Sequence, residues 1–142
     1  MDRMRQTEAT GRLIHGPGCI AEGAGRLARA EPRFAAALER TGPPPLRLRG
    51  DGFPALFGAI VSQQVSVASA AAIWGRLEAA GLTEAPAVAA ASEDALRACG
   101  LSRQKMRYAR ALADAEIDYA ALRGAPEEQV VATLTAVPGI GR

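Results

Sequence analysis

Few side chains in this sequence are spaced for chemistry, and the most suggestive stretch carries its chemistry in the backbone. Leu134-Thr135-Ala136-Val137-Pro138-Gly139-Ile140-Gly141-Arg142 runs an apolar helical pattern into Pro-Gly-Ile-Gly. Two glycines flanking one apolar residue permit positive φ and close backbone approach, so the amides of Gly139, Ile140 and Gly141 can converge on one anion, a phosphate being the natural guest. The same residues also suit a helix that merely ends in a Schellman-type turn. Hydrolytic constellations are poorer. Ser62, Ser66 and Ser69 have only His15 as a base, on a glycine-flanked loop with no acidic residue nearby to orient it. Cys19 and Cys99 stand far apart with no CxxC pair, and one histidine gives no ligand set for zinc or an iron–sulfur cluster, so both read as reduced thiols. Glu93, Asp94, Glu127 and Glu128 fall in the first turns of helical patterns and Asp51 at a cap, where structural roles explain them.

The elements that must position these residues are helical. A chain of 142 residues that is 49% hydrophobic can bury the core of one ordinary domain. Alanine dominates the apolar set and aromatics make up only 4%, a composition that favours closely packed helices, so the fold class is read as all-α. A net charge of +2 is too small for binding polyanions by bulk charge. With no apolar h-region at the N-terminus and no uninterrupted apolar run of ~20 residues, neither an export signal nor a membrane span is expected, and the predicted location is cytoplasmic.

Met1–Gly11 is polar and without period and is expected to fray. Ile20–Ala30 suits a short helix, and Pro32 the first turn of the next, which Gly42-Pro43-Pro44-Pro45 stops. Asp51-Gly52-Phe53-Pro54 opens the central hydrophobic helix, with Asp51 as the capping side chain and Phe53, Leu56, Phe57, Ile60 and Val61 as its core stripe. Ser62-Gln63-Gln64-Val65-Ser66 interrupts it as a tight turn, and Ser66 can cap a helix through Ala70, Ile73, Trp74 and Leu77. Trp74, in phase with that helix, reads as core rather than as a platform for a stacked base. Thr83–Ala91 is helix-like or irregular; Ser92 and Ser102 each start a helix. The second of these places Met106, Ala109, Leu112 and Ala113 on one side and Arg103, Arg107 and Arg110 on another. Tyr108 reads as a core residue whose hydroxyl reaches the rim, and the cations Arg103, Lys105, Arg107 and Arg110 as a solvated face rather than a site. Asp118–Gly124 is a linker with room for one helical turn. Pro126-Glu127-Glu128 begins the last helix, whose Val130, Val131, Leu134 and Val137 face inward. Seven or eight short helices and no strand are expected, in two segments: residues 1–43 as N-terminal helices and connector, and 44–142 as the main domain.

Three stretches, in this order, resemble one family: the apolar helix broken by Gln-Gln-Val-Ser, then Gly-Leu-Ser-x-x-Lys-x-x-Tyr from Gly100 to Tyr108, then Leu-x-x-Val-Pro-Gly-Ile-Gly-Arg from Leu134 to Arg142. Across residues 44–142 the chain resembles the helix-hairpin-helix DNA glycosylases, closest to the DNA-3-methyladenine glycosylase II type. The resemblance implies base excision repair: hydrolysis of the N-glycosidic bond of alkylated purines in double-stranded DNA, by a monomer without metal or organic cofactor.

By the same resemblance Gly139 and Gly141 are the hairpin glycines, Ile140 packs the hairpin tip, and Arg142 lies where backbone or side chain meets phosphate. A monovalent cation, optional, would map to the carbonyls of Thr135, Val137 and Ile140. Gln64 takes the wedge position that fills the gap left by an extruded base, against the plainer reading of a solvent-exposed polar turn. In the family the catalytic aspartate follows a second hairpin helix, and this chain stops at Arg142 first. No catalytic residue is therefore expected within it, and Met1–Arg142 on its own is expected to be inactive and only marginally folded. The competing class is a non-catalytic DNA-binding or helical interaction module that keeps only hairpin and wedge.

Overall fold

The structure is a computed structural model that describes residues 13–141. The expectation for Met1–Gly11 and every expectation for Arg142 lie outside the described residues. The chain divides into two compact units, one reaching Leu48 and the other beginning at Arg49. All regular structure among the described residues is helical, and none of these helices is long and apolar enough to cross a membrane.

In the first unit, α1 (Pro17–Ala30) and α2 (Pro32–Thr41) form a helical hairpin around a single intervening residue, Glu31. Its amide closes the end of α1 on the Leu27 carbonyl at 2.9 Å, and its carboxylate accepts from the amide of Arg33 at 3.1 Å, opening α2. Each helix has a proline in its first turn, where no amide partner is lost. At Gly42 the backbone takes a φ of 72° and leaves the helix for the three prolines. Leu27, Phe34, Ala37 and Leu38 line an apolar cleft of about 380 Å³ with Pro43–Pro45.

The second unit holds α3 (Phe53–Ser62), α4 (Val67–Ala79), α5 (Ala85–Ala90), α6 (Glu93–Ala98), α7 (Arg103–Asp114), α8 (Tyr119–Leu122) and α9 (Glu127–Thr135). The stripe expected on α3 buries Phe53, Phe57, Ile60 and Val61, with Leu56 partly covered. It meets the buried face of α7, which is the expected Met106, Ala109, Leu112 and Ala113. Phe57, Ile60, Leu77, Val88, Leu96 and Leu112 are the fully buried centre, drawn from five helices. Trp74 packs edge-on against Phe57 with ring centroids 5.7 Å apart, and its indole N–H donates to Glu78 at 3.0 Å; it is a core residue. Thr83–Ala91 does contain a helix, α5, and the expected linker after Asp118 contains α8, so the count rises to nine among the described residues.

Serines at caps set the joints. Ser66, Ser92 and Ser102 each accept a hydrogen bond from the amide three residues on, satisfying one orphan donor of α4, α6 and α7. Asp51 departs from expectation. The residue before α3 is Gly52, at φ 79°, and no side chain caps the helix. Asp51 instead accepts from Arg123 Nε at 2.6 Å, tying the start of α3 to the end of α8.

Burial decides which aromatic matters for stability. Phe57 is fully buried, whereas Phe34 is 52% exposed. Phe57→Ala is expected to lower the free energy of unfolding by about 3–5 kcal/mol, and Phe34→Ala by less than about 1 kcal/mol, as measured by urea denaturation of the two variants beside the parent.

Candidate nucleic-acid interface

Val137-Pro138-Gly139-Ile140 closes as a turn in which the Ile140 amide donates to the Val137 carbonyl at 3.1 Å, with proline second and glycine third at a φ of 92°. Those are the features of a type II turn. The Gly139 backbone lies flat against the ring of Tyr108. A Cβ built on Gly139 would stand 2.5 Å from Tyr108 Cγ and Cδ2, closer than any side chain can approach. Gly141 differs: its φ is not positive, and a Cβ there would meet nothing. Of the three amides expected to converge on an anion, that of Ile140 is therefore turned inward to Val137. The Ile140 side chain packs against the core margin, and Val137 is buried.

Facing this hairpin is the Gln63–Ser66 turn. Gln63 ends α3 in extended conformation, and its side-chain Nε2 donates to the Gly139 carbonyl at 3.1 Å, across 76 positions of sequence. Gln64 follows at a φ of 56°, in the left-handed region. That conformation costs a non-glycine residue about 1–2 kcal/mol, and among the described non-glycine residues only Glu116 shares it. The Gln64 side chain is exposed and makes no hydrogen bond among the described residues. Val65 and Val67 beside it are 38% and 88% exposed. The family resemblance singled out Gln64 and assigned nothing to Gln63; the structure bonds Gln63 to the hairpin and leaves the Gln64 side chain without a hydrogen bond among the described residues.

Helix α7 supplies the floor. Gln104, Lys105 and Tyr108 share one edge of it, adjacent to the face that enters the core. Lys105 Nζ donates to the Val61 carbonyl at 2.7 Å, so the cation closes the C-terminal end of α3 just before the turn. Its partial burial lowers the pKa below the usual lysine value. Gln104 Nε2 donates to the Tyr108 hydroxyl at 2.6 Å, so that hydroxyl does reach the rim. Gln63, Gln64, Val65, Ser102, Gln104, Lys105, Tyr108 and Gly139 thus line an open groove of about 400 Å³. No carboxylate is among them.

The remaining candidates are locally engaged. Ser62 donates to the Gly58 carbonyl at 2.8 Å, and Ser66 shares a hydrogen bond with Ser69 at 3.0 Å. Glu93 and Asp94 pair with Arg97, and Asp118 caps α8. Arg103, Arg107 and Arg110 surround Met106 on α7; Arg110 Nη2 donates to the Ala91 carbonyl at 2.6 Å, and the Arg107 guanidinium reaches over the Tyr108 ring, 5.5 Å from its centroid. No cluster of three His, Cys, Asp or Glu exists among the described residues. What sequence reasoning missed is the set Gln63, Lys105 and Tyr108. Their signal was the spacing of Lys105 and Tyr108 on one helix edge, but their partners, three backbone groups far along the chain, leave no mark in the sequence.

Helix α9 running into the Pro138-Gly139 turn is the first helix and the hairpin of a helix-hairpin-helix motif, and that turn shares one groove with the polar turn after α3. Residues 57–138, more than half the chain, match the HhH-GPD superfamily base excision DNA repair protein family, and the chain belongs to that family. Among solved structures it is similar to a DNA-3-methyladenine glycosidase from Bacillus halodurans, with 31% identity and a TM-score of 0.66 over 81% of this chain and 56% of that one. It shares the fold of the Schizosaccharomyces pombe 3-methyladenine DNA glycosylase solved in complex with abasic DNA, at 22% identity and a TM-score of 0.69, over 85% of this chain and 65% of that one. The chain thus spans less than two thirds of each. No curated protein matches significantly by sequence.

The two glycines make a paired test. Gly139→Ala, which drives a Cβ into Tyr108 at an unfavourable φ, is expected to destabilise the protein by about 1–3 kcal/mol. Gly141→Ala should stay within about 0.5 kcal/mol of the parent, both read by thermal unfolding.

Proposed function

We propose that the second unit is the DNA-gripping part of a monofunctional glycosylase that removes alkylated purines of the 3-methyladenine type from double-stranded DNA, acting as a monomer. The observation that carries this reading is Gln64, an unbonded amide side chain in a left-handed backbone, at the apex of a turn whose start is fixed to the hairpin. A base cannot react inside the stack, so it must be extruded and its gap filled. Gln64 with its exposed valine shoulders is a short amphipathic wedge: Val65 and Val67 can rest on base and sugar while the amide occupies the gap. Gly139, Gly141 and Arg142 then hold backbone phosphate, with Ile140, its amide given to Val137, packing the hairpin tip, and this grip positions the wedge without reading sequence. A monovalent cation on the carbonyls of Thr135, Val137 and Ile140 would meet neutral oxygens only, and would share that of Val137 with the Ile140 amide.

Hydrolysis breaks the bond between C1′ and the purine nitrogen. The electron pair leaves with the cationic alkylated base, which departs neutral, and a water oxygen bonds to C1′ while its proton passes to a carboxylate. No described carboxylate lines the groove, so in this reading the carboxylate that orients the water and faces the cationic sugar is not one of the described groove residues.

Gln64→Ala is expected to reduce excision of a lesion in a paired duplex about 10- to 100-fold, and of the same lesion in an easily extruded mismatch much less, because the wedge offsets unstacking. Equal losses on both substrates would make it a plain surface turn. Met1–Arg142, assayed on alkylated DNA beside a no-protein control, is expected to bind the duplex without releasing methylated base, and release above the control would overturn the reading that its groove lacks the carboxylate.

A further inference from the structure

The peptide joining Gly139 to Ile140 is held from both sides. Its carbonyl accepts from Gln63 Nε2 at 3.1 Å, and its N–H donates to the Val137 carbonyl at 3.1 Å. In a trans peptide these two groups point in opposite directions, so the pair of bonds fixes the plane. The Tyr108 ring blocks the third direction by lying against the Gly139 backbone. On the turn side, Lys105 holds the Val61 carbonyl at 2.7 Å and the Gln63 amide donates to the Ile60 carbonyl at 3.2 Å, so the residue before Gln64 is fixed by both its backbone and its side chain. Gln64 begins where these restraints stop. Of the side-chain hydrogen bonds in the groove, only that of Gln63 joins the turn to the hairpin.

We propose that Gln63 is a positioning residue that locks the hairpin to the Gln64 turn, so that phosphate held by the one sets the depth and direction at which the other enters the duplex. It acts through Gln64 and through the hairpin peptide. This rests on the reading of the groove as a DNA interface. Without the Gln63 bond the hairpin still offers its backbone to phosphate, held by Val137 and Tyr108. What is lost is the fixed offset between grip and wedge.

The experiment measures dissociation constants of the full-length protein for an undamaged duplex and for one with an abasic site, whose ready-made gap rewards insertion without extrusion. The variants are Gln63→Met, which keeps length and removes the donor without adding charge, Gln64→Ala, and the double variant. Gln63→Met should reduce the preference for abasic over undamaged DNA by about three- to tenfold, the range of one hydrogen bond, with affinity for undamaged DNA unchanged within about twofold. Added to Gln64→Ala it should have no further effect, since a residue acting through another is non-additive with it. Amide exchange at Ile140 in the free protein should quicken, and thermal unfolding reports whether the variant remains folded. Independent, multiplying effects of the two substitutions, an equal loss on both duplexes, or an unchanged Ile140 exchange rate would each overturn the proposal. If Gln64→Ala lowers the abasic preference and Gln63→Met does not, the positioning role alone fails; if the parent protein does not distinguish the two duplexes, the interface reading fails and takes this proposal with it.

Discussion

The approach of the Gly139 backbone to the Tyr108 ring constrains everything around the groove. Tyr108 sits on an edge of α7 whose neighbouring face is pinned in the core by Met106, Ala109 and Leu112, so the ring cannot retreat. Only a residue without a Cβ can lie against it, and only a glycine readily takes the φ the turn requires there. Once the hairpin is seated on Tyr108, its carbonyl comes within hydrogen-bonding reach of Gln63. Two segments 76 positions apart thereby become one surface.

That surface is stiff where it is anchored and free at one point. Lys105 closes the end of α3, Gln63 reaches the hairpin, and Ser66 caps the helix that leaves the turn. The strain of the left-handed backbone falls on Gln64, between these anchors, and its side chain is bonded to nothing in the described structure. Strained, over-determined positions of this kind occur where a side chain must be presented rather than packed. The exposed valines that follow it, Val65 and Val67, extend the same point into a small apolar tip.

In the function proposed for this groove, gripping and chemistry are separable. Backbone contacts need amides and small residues, and the groove offers them; stabilising a cationic sugar needs a buried or dry carboxylate, and no polar or charged residue among those described is buried. Of the carboxylates of the second unit, Asp51, Glu93 and Asp94 pair with arginines, Asp118 caps α8, Glu127 and Glu128 start α9, and Glu78 accepts from Trp74. Charge is likewise spent locally. On α7, Arg110 is bonded to the Ala91 carbonyl, the Arg107 guanidinium lies over the Tyr108 ring at 5.5 Å, and the lysine that faces the groove is bonded to a helix end.

Local chemistry made much of this legible in the sequence. The apolar stripes of α3 and α7 follow from helical periodicity, the serine caps from the preference of short hydroxyls for orphan amides, and the breaks at Gln63-Gln64 and Pro138-Gly139 from residues that cannot continue an apolar helix. The ordered triplet of stretches from Phe53 to Gly141 carried the family. Tertiary structure alone gave Gln63 its partner, the Gly139 carbonyl, because that pairing depends on where the backbone aims its side chain. It gave Asp51 an arginine partner instead of a helix to cap, turned the Ile140 amide inward, and made Lys105 a helix cap rather than a solvated cation. In each case the partner is a group distant in sequence, and such a pairing is fixed only when packing brings the two segments together.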